Sequence, residues 1–321
     1  MQCNLFHVAW RRPDLLSLLL LAGSVGISLP LAAQPATPLA TPPAAVAGGA
    51  TAAVTEADVR GIEETPYVQT ATQVLDAMLE MAQVRGSDFL IDLGSGDGRM
   101  PITAAKRWGT RGFGVEHDPR LVQLANDNAR RAGVADKVSF RAEDLFKTEL
   151  GQATVVTLYL LPDNNLALRP RLLSQLRPGA RIVSHDYDLG DWHPDAQRVI
   201  PVPDKPVGVE KSSKVFLWIV PARVAGKWRF AMTRGDGKAV DVELELMQNF
   251  QVFGGMARIE GRSLQLERTQ LRGGYVSFRF TDGQTVHRFQ GQVGNGRISG
   301  QHASGERNAR WRALKVEAVK P

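Results

Sequence analysis

Hydrophobic positions along this chain change their period twice. Residues 15–33 are almost continuously apolar, residues 70–221 mix short apolar runs with helical stripes, and after Pro221 short alternating runs lie between recurrent glycines. In the middle region Val74, Leu75, Met78, Leu79, Ala82 and Val84 fall on one helical face between Thr70 and Val84. Phe89-Leu90-Ile91 reads as a short buried strand, and a helix is expected from about Gly98 to Trp108. Arg111 to Glu116 forms a second strand, and Pro119 opens a helix through Leu121, Val122, Leu124, Ala125 and Ala129. Val138 to Phe140 is a third strand and Val155 to Leu160 a fourth, followed by a helix to Leu176. Arg181 to Ser184 and Val215 to Val220 supply two more strands. Strands that alternate with helices predict a parallel sheet with its ligand sites at the strands' C-terminal ends.

The last hundred residues predict something else. Val240 to Leu246, Ser263 to Leu266 and Tyr275 to Phe280 alternate with period two, and Asp236-Gly237, Asp282-Gly283 and Asn295-Gly296 are hairpin signals. The expected fold is therefore α/β, a Rossmann-like doubly wound and mostly parallel sheet followed by a small antiparallel β-barrel or sandwich. The expected division is a signal peptide or membrane anchor at 1–33, a Pro/Ala-rich linker at 34–55, the α/β domain at 56–221 and the β domain at 222–321.

The chemistry concentrates after the first strand, in Asp92-Leu93-Gly94-Ser95-Gly96-Asp97-Gly98-Arg99. Glycines let the backbone turn sharply and let a ligand approach it closely. A dinucleotide site would place a third glycine where this chain has Arg99, and a pyrophosphate would be repelled by Asp92. An acid there suits a ligand with an ammonium group and no phosphate, such as S-adenosylmethionine; the alternative is a tight βα connection without a ligand. Glu116 ends the second strand, where an acid can take both ribose hydroxyls or stand as a surface carboxylate. Asp144 follows the third strand, placed to accept from an adenine amino group.

Arg11-Arg12 before the apolar stretch and Ala32-Ala33 after it read as a secretory signal, with an uncleaved anchor as the alternative. Either places the body of the protein outside the cytoplasm, periplasmic or membrane-anchored, in tension with a cofactor made in the cytoplasm. The one cysteine, Cys3, lies in that segment, so the folded part holds no disulfide, cysteine zinc site or thiol nucleophile. The histidines show no metal-binding spacing, and no metal is expected. Charge is uneven: residues 222–321 carry 17 Lys/Arg against 9 Asp/Glu in a chain of net charge +6. That basic module could dock an acidic partner or an anionic membrane surface, or be only a structural cap, and it carries no specific nucleic-acid signal. Oligomeric state is not legible.

Residues 65–221 resemble a class I S-adenosylmethionine-dependent methyltransferase. The pattern is nearest to the protein-lysine methyltransferases that include the mitochondrial enzymes for the ATP synthase c-subunit and the adenine nucleotide translocase. The matching pieces are Thr65-Pro66-Tyr67-Val68, the glycine motif, Gly114-Val115-Glu116, Glu143 to Phe146, Leu158-Tyr159-Leu160-Leu161-Pro162 and Arg181 to His185. Gln69 departs from the proline those relatives often carry. By this resemblance Tyr67, Asp92, Gly94, Ser95, Gly96, Glu116 and Asp144 would contact S-adenosylmethionine, and the tip of the fourth strand would face the acceptor. A lysine side chain must lose its proton before it attacks, and Tyr159, Asp163, Asn164 and His185 are the candidates near that edge. The chain has no Asn-Pro-Pro-Tyr, so a planar base or amide is a poor acceptor for Leu160-Leu161-Pro162. A protein lysine is the favoured acceptor. The alternatives are a small-molecule methyltransferase and a non-catalytic envelope binding protein that keeps the fold.

Overall fold

The structure, a computed structural model, describes residues 67–206, 208–234 and 237–316. The leader at 1–33, the linker at 34–55, Thr65-Pro66 and Asp236 lie outside the described residues.

The first part opens with α1 (Thr72–Met81), β1 (Phe89–Leu93), α2 (Arg99–Trp108), β2 (Arg111–Glu116), α3 (Pro119–Arg131) and β3 (Val138–Ala142). It continues through β4 (Val155–Leu158), α4 (Pro162–Gln175), β5 (Arg181–His185), β6 (Ala196–Pro201) and β7 (Ser212–Ile219). The seven strands are ordered β3-β2-β1-β4-β5-β7-β6, with β1 to β5 parallel. Central strands have water on neither face, which is why β4 is buried at all four positions. Val74, Leu75, Met78 and Leu79 of α1 pack with Leu90, Val155, Val183 and Val215, so the stripe read from sequence is the helix's buried face.

Two expectations are corrected. The sheet does not end on one parallel strand: β7 runs antiparallel to β5, and β6 pairs antiparallel with β7. β6 was not anticipated because Ala196–Pro201 is an edge strand, exposed at nearly every position and so without a hydrophobic period. The fourth strand stops at Leu158 instead of Leu160, and Tyr159 to Leu161 turn out of the sheet before α4 begins at Pro162.

The second part is a nine-stranded antiparallel sheet of β8 (Gly226–Thr233), β9 (Ala239–Asn249), β10 (Val252–Ile259), β11 (Arg262–Gln265), β12 (Glu267–Arg272), β13 (Tyr275–Asp282), β14 (Thr285–Gly294), β15 (Arg297–Ser304) and β16 (Arg307–Lys315). The order β11-β10-β9-β8-β16-β15-β14-β13-β12 puts sequence neighbours β11 and β12 at opposite edges, so the sheet curls back on itself. Leu266, the link between β11 and β12, donates its N–H to Gly255 O of β10 at 3.0 Å, and β12 lies against β10. Of the two forms expected, the sheet is therefore a nearly closed barrel. Its interior is aromatic, with Phe230, Phe278, Phe280, Phe289 and Trp311 packed together. Asn295 and Gly296 both take positive φ, 48° and 68°, as their hairpin requires.

The barrel is seated on the α/β part. Phe250, at the β9–β10 turn, stacks on Trp192 with ring centroids 5.6 Å apart, and Trp192 Nε1–H donates to Gln251 Oε1 at 2.8 Å.

Candidate active site

The strand order reverses between β1 and β4, with β2 and β3 on one side and β5 on the other. Diverging crossovers leave a crevice at such a point, beyond the C-terminal strand ends. A cleft of about 1000 Å³ lies there.

One wall is the glycine turn. Gly94, Gly96 and Gly98 take φ of 79°, 51° and 80°, a region costly for other residues. The N–H groups of Gly94 and Ser95 both donate to Val115 O, which ties the turn to β2. Gly98 does what the third glycine of a dinucleotide site does: a Cβ there would stand 2.5 Å from Phe140 and 2.9 Å from Ala125. Tyr67 lies against Gly96, where a Cβ would meet its ring at 2.4 Å. Arg99 joins the two segments. Its Nε and Nη2 hold the Asp97 carboxylate at 2.9 and 2.7 Å, and its Nη1 donates to Thr70 O at 2.8 Å. Although burial opposes it, these bonds hold the Asp97 carboxyl below its ordinary range.

Asp92 is the most perturbed acid. Its carboxylate is buried, accepts from Thr157 Oγ1 at 2.5 Å, and faces the charges of Glu116 and Asp97. Burial, only partly offset by Thr157, pushes it up to about 7. Glu116 is oriented by backbone: its Oε2 accepts from Gly96 N–H at 2.9 Å and its Oε1 from His117 N–H at 2.8 Å. Asp144 Oδ1 accepts from Phe146 N–H at 2.8 Å and lines the cleft beyond β3.

The residue-by-residue outcome is uneven. Tyr67, Asp92, Gly94, Ser95, Gly96, Glu116 and Asp144 all line the one cleft, and Tyr159 and Asn164 line its far end. Asp163 does not: it points to solvent in the first turn of α4. His185 does not line the cleft either. It is buried behind Tyr159, with ring centroids 3.8 Å apart, and bonds through Nε2 to Ser213 Oγ at 2.9 Å. Burial lowers it to about 4, so it stays neutral. Burial also raises the Tyr159 hydroxyl to about 12, keeping it a neutral phenol. The sequence reading missed Tyr187, which lines the cleft near Tyr159, and Asn165, which is fully buried and donates to Tyr187 O at 3.2 Å. Position was the available signal: Tyr187 follows β5 at the same sheet edge as Tyr159.

The cleft fits S-adenosylmethionine on three observations. Ser95 Oγ is buried with no hydrogen-bond partner among the described residues. The glycine turn lines a cleft of about 1000 Å³, roomy enough for a cofactor of this size. Asp92 and Glu116 are acids without an ion pair among the described residues, a set that attracts a cation and repels a pyrophosphate.

The model of the ANTKMT methyltransferase domain matches residues 92–196. A protein-lysine N-methyltransferase of Saccharolobus islandicus is 39% identical, over 44% of this chain and 88% of its own length. The adenine nucleotide translocase lysine N-methyltransferase of Mus musculus is 36% identical, over 41% of this chain and 58% of its own. The chain thus spans a little over half the length of that animal enzyme. Among solved structures, an RNA methyltransferase from Salinibacter ruber in complex with S-adenosyl-L-homocysteine is 50% identical, covering 49% of this chain and 96% of its own, with a TM-score of 0.44. With a relative so nearly spanned at this identity, the chain belongs to the class I S-adenosylmethionine-dependent methyltransferases, in the branch that includes the protein-lysine enzymes.

Proposed function

We propose that this methyltransferase acts on lysine side chains of a protein. The observation that carries the reading is the acceptor end of the cleft. It is built from Leu158, Tyr159, Leu160, Leu161 and Tyr187, with Asn164 the polar residue among them. The relatives named as lysine methyltransferases support the same acceptor.

Bound S-adenosylmethionine supplies an electrophilic methyl carbon on a sulfonium. Of the residues that line the cleft, Asp92 would hold its ammonium, Glu116 the ribose hydroxyls and Asp144 the adenine amino group. The acceptor nitrogen must arrive as a free amine, whereas lysine in water has a pKa of about 10.4. A wall of leucines beside two phenols disfavours the charged ammonium, which lowers that pKa and leaves the lone pair exposed. The Tyr159 phenol, neutral at physiological pH, can accept from the amine without trapping it in an ion pair. His185 braces the Tyr159 ring from behind and Asn165 holds the backbone at Tyr187, so both act through other residues. Positioning of this kind supplies roughly 7–11 kcal/mol in favourable cases. A planar base would find neither paired amide groups nor a stacking slot at Leu160-Leu161-Pro162.

We also infer that residues 15–33 attach the chain to a membrane; among the described residues no helix is long and apolar enough to cross one. The test of function is transfer of tritiated methyl from S-adenosylmethionine by the full chain, offered cell-envelope protein, total RNA and small amines in parallel. Methyllysine in acid hydrolysates of the protein fraction, lost in Asp92→Ala, is the expected result. Label confined to RNA or to small molecules overturns the lysine reading.

A further inference from the structure

Arginines on the barrel fall into two groups. Arg268 and Arg272 of β12 make no ion pair among the described residues, whereas on β8, β10 and β13 the arginines are matched across strands: Arg229 with Glu243, Arg258 with Glu245, Arg279 with Glu267. On β14 to β16 they are not. Arg288, Arg297, Arg310 and Arg312 are exposed, and among the described residues none makes an ion pair or a side-chain hydrogen bond.

Strand register puts these four on one outer face. Gln290 of β14 stands opposite Gln301 of β15, which stands opposite Arg310 of β16. One step along, Gln292, Ser299 and Arg312 form the next row, and Arg297 opposite Leu314 the one after. Arg288 lies on the same face, on the other side of the Gln290 row, opposite Ala303. Intervening residues His287, Phe289, Ile298, His302 and Trp311 point into the buried interior, so the alternation that builds the core also collects the arginines outside. Two shallow depressions of about 520 and 400 Å³ lie on this face, both reaching Ser299 and Arg312.

We propose that this face docks on the anionic headgroups of a phospholipid bilayer. Three adjacent strands make an exposed polar surface about 10 Å wide, and its several arginines suit an array of phosphates more than a single anion. Leu314, 56% exposed beside Arg297, gives the face an apolar residue that can enter the headgroup layer. Protein interfaces are centred on clusters of aromatic or apolar anchors, and this face offers only Leu314 and Tyr275. Single-stranded nucleic acid calls for successive stacking rings, whereas the face carries only Tyr275, whose hydroxyl is bonded to Gln290 at 3.1 Å. The apolar segment at 15–33 would be the second attachment that durable membrane binding needs.

The full chain is floated with vesicles of phosphatidylcholine alone and with about 30% phosphatidylglycerol, at low salt. The apolar segment contributes to both, so their ratio reports the arginines. A charge near the surface is worth roughly fivefold in binding, so the wild type should prefer the anionic vesicles by at least about 30-fold. Arg297→Glu/Arg310→Glu/Arg312→Glu should bring the ratio near one at unchanged melting temperature and unchanged binding to neutral vesicles. The corresponding Arg→Gln triple, which keeps the fold if the reversal does not, should lose most of it. The control Arg111→Glu/Arg130→Glu/Arg131→Glu, exposed on β2 and α3 of the α/β part, changes net charge equally but should keep the preference. Equal losses in both reversed triples would mean net charge alone and overturn the site. So would absence of any anionic preference, or a wild type that binds polyuridylate or an acidic peptide through these arginines but not the vesicles.

Discussion

Asp92 should make cofactor binding depend on pH. Burial lifts its carboxyl from the ordinary range near 3.9 to about 7. In the free enzyme it is then mostly protonated at pH 5 and mostly ionised at pH 8. An ammonium group binds the ionised form, so binding below pH 7 must first remove a proton. With a midpoint of 7, affinity for S-adenosylhomocysteine should rise about 90-fold from pH 5 to pH 8, close to 2.7 kcal/mol. The product is the better probe because its amino group stays charged over that interval. Folding runs the other way. A native pKa above the unfolded one means the folded chain keeps a proton that the unfolded chain has lost between about pH 4 and 7. That stabilisation is complete below pH 4 and is lost as pH rises through 7, a difference of at most about 4 kcal/mol. Calorimetric titrations of wild type and Asp92→Asn across pH 5 to 8 test this. The variant should bind weakly at every pH with a flat profile, and wild type alone should release a proton below pH 7. His117 also lines the cleft, and His117→Gln should leave the profile intact. A flat wild-type profile, or an equal slope in Asp92→Asn, would refute the assignment of the ammonium to Asp92.

Thr157→Val removes the hydrogen bond that holds the Asp92 carboxyl down, so the midpoint of the binding profile should move above 7 by up to about one unit. Gly98→Ala forces a Cβ into Phe140 and Ala125 at a positive φ; a loss of about 2–4 kcal/mol in denaturant unfolding is expected, with weakened cofactor binding. In the barrel His287 Nδ1 and His302 Nε2 meet at 3.0 Å, and burial holds His302 down to about 4. A depressed native pKa gives stability that is complete above about 6.5 and lost as pH falls through 4, at most about 3 kcal/mol. His302→Phe should flatten that part of the acid limb in thermal unfolding.

Sequence and structure agree where one physical requirement dominates. The glycine turn is legible because its backbone dihedrals and its crowding by Phe140 and Tyr67 exclude other residues. The barrel strands are legible because each has one wet and one dry face, as in the alternating burial of β9 and β13. Legibility failed where several groups share a task. His185 looked like a candidate base because it ends a strand at the ligand edge. That the side chain turns inward to Ser213 and beneath Tyr159 depends on residues distant in sequence. Asp163 and Asn164 are neighbours, and only the angle at which α4 leaves the sheet decides that Asn164 lines the cleft. Asn165 was invisible for the same reason, since its partners are backbone carbonyls at 187 and 188.

The barrel bears on the active site through the same long-range geometry. The segment that follows Tyr187 ends at Trp192, which is fully buried between Trp218 and Phe250. Trp218 Nε1–H donates to Trp192 O at 2.6 Å from the α/β side, and Gln251 Nε2–H donates to His193 O at 2.6 Å from the barrel side. Arg169 of α4 lies over the outer part of this contact, its guanidinium 5.6 Å from the Phe250 ring and its Nη1 bonded to Leu189 O at 2.8 Å. The helix and loop that frame the acceptor end are thus fixed at one end by Asn165 and at the other by a turn of the barrel. The same few side chains, Trp192, Phe250 and Gln251, therefore join the barrel to the segment that follows Tyr187 in the cleft.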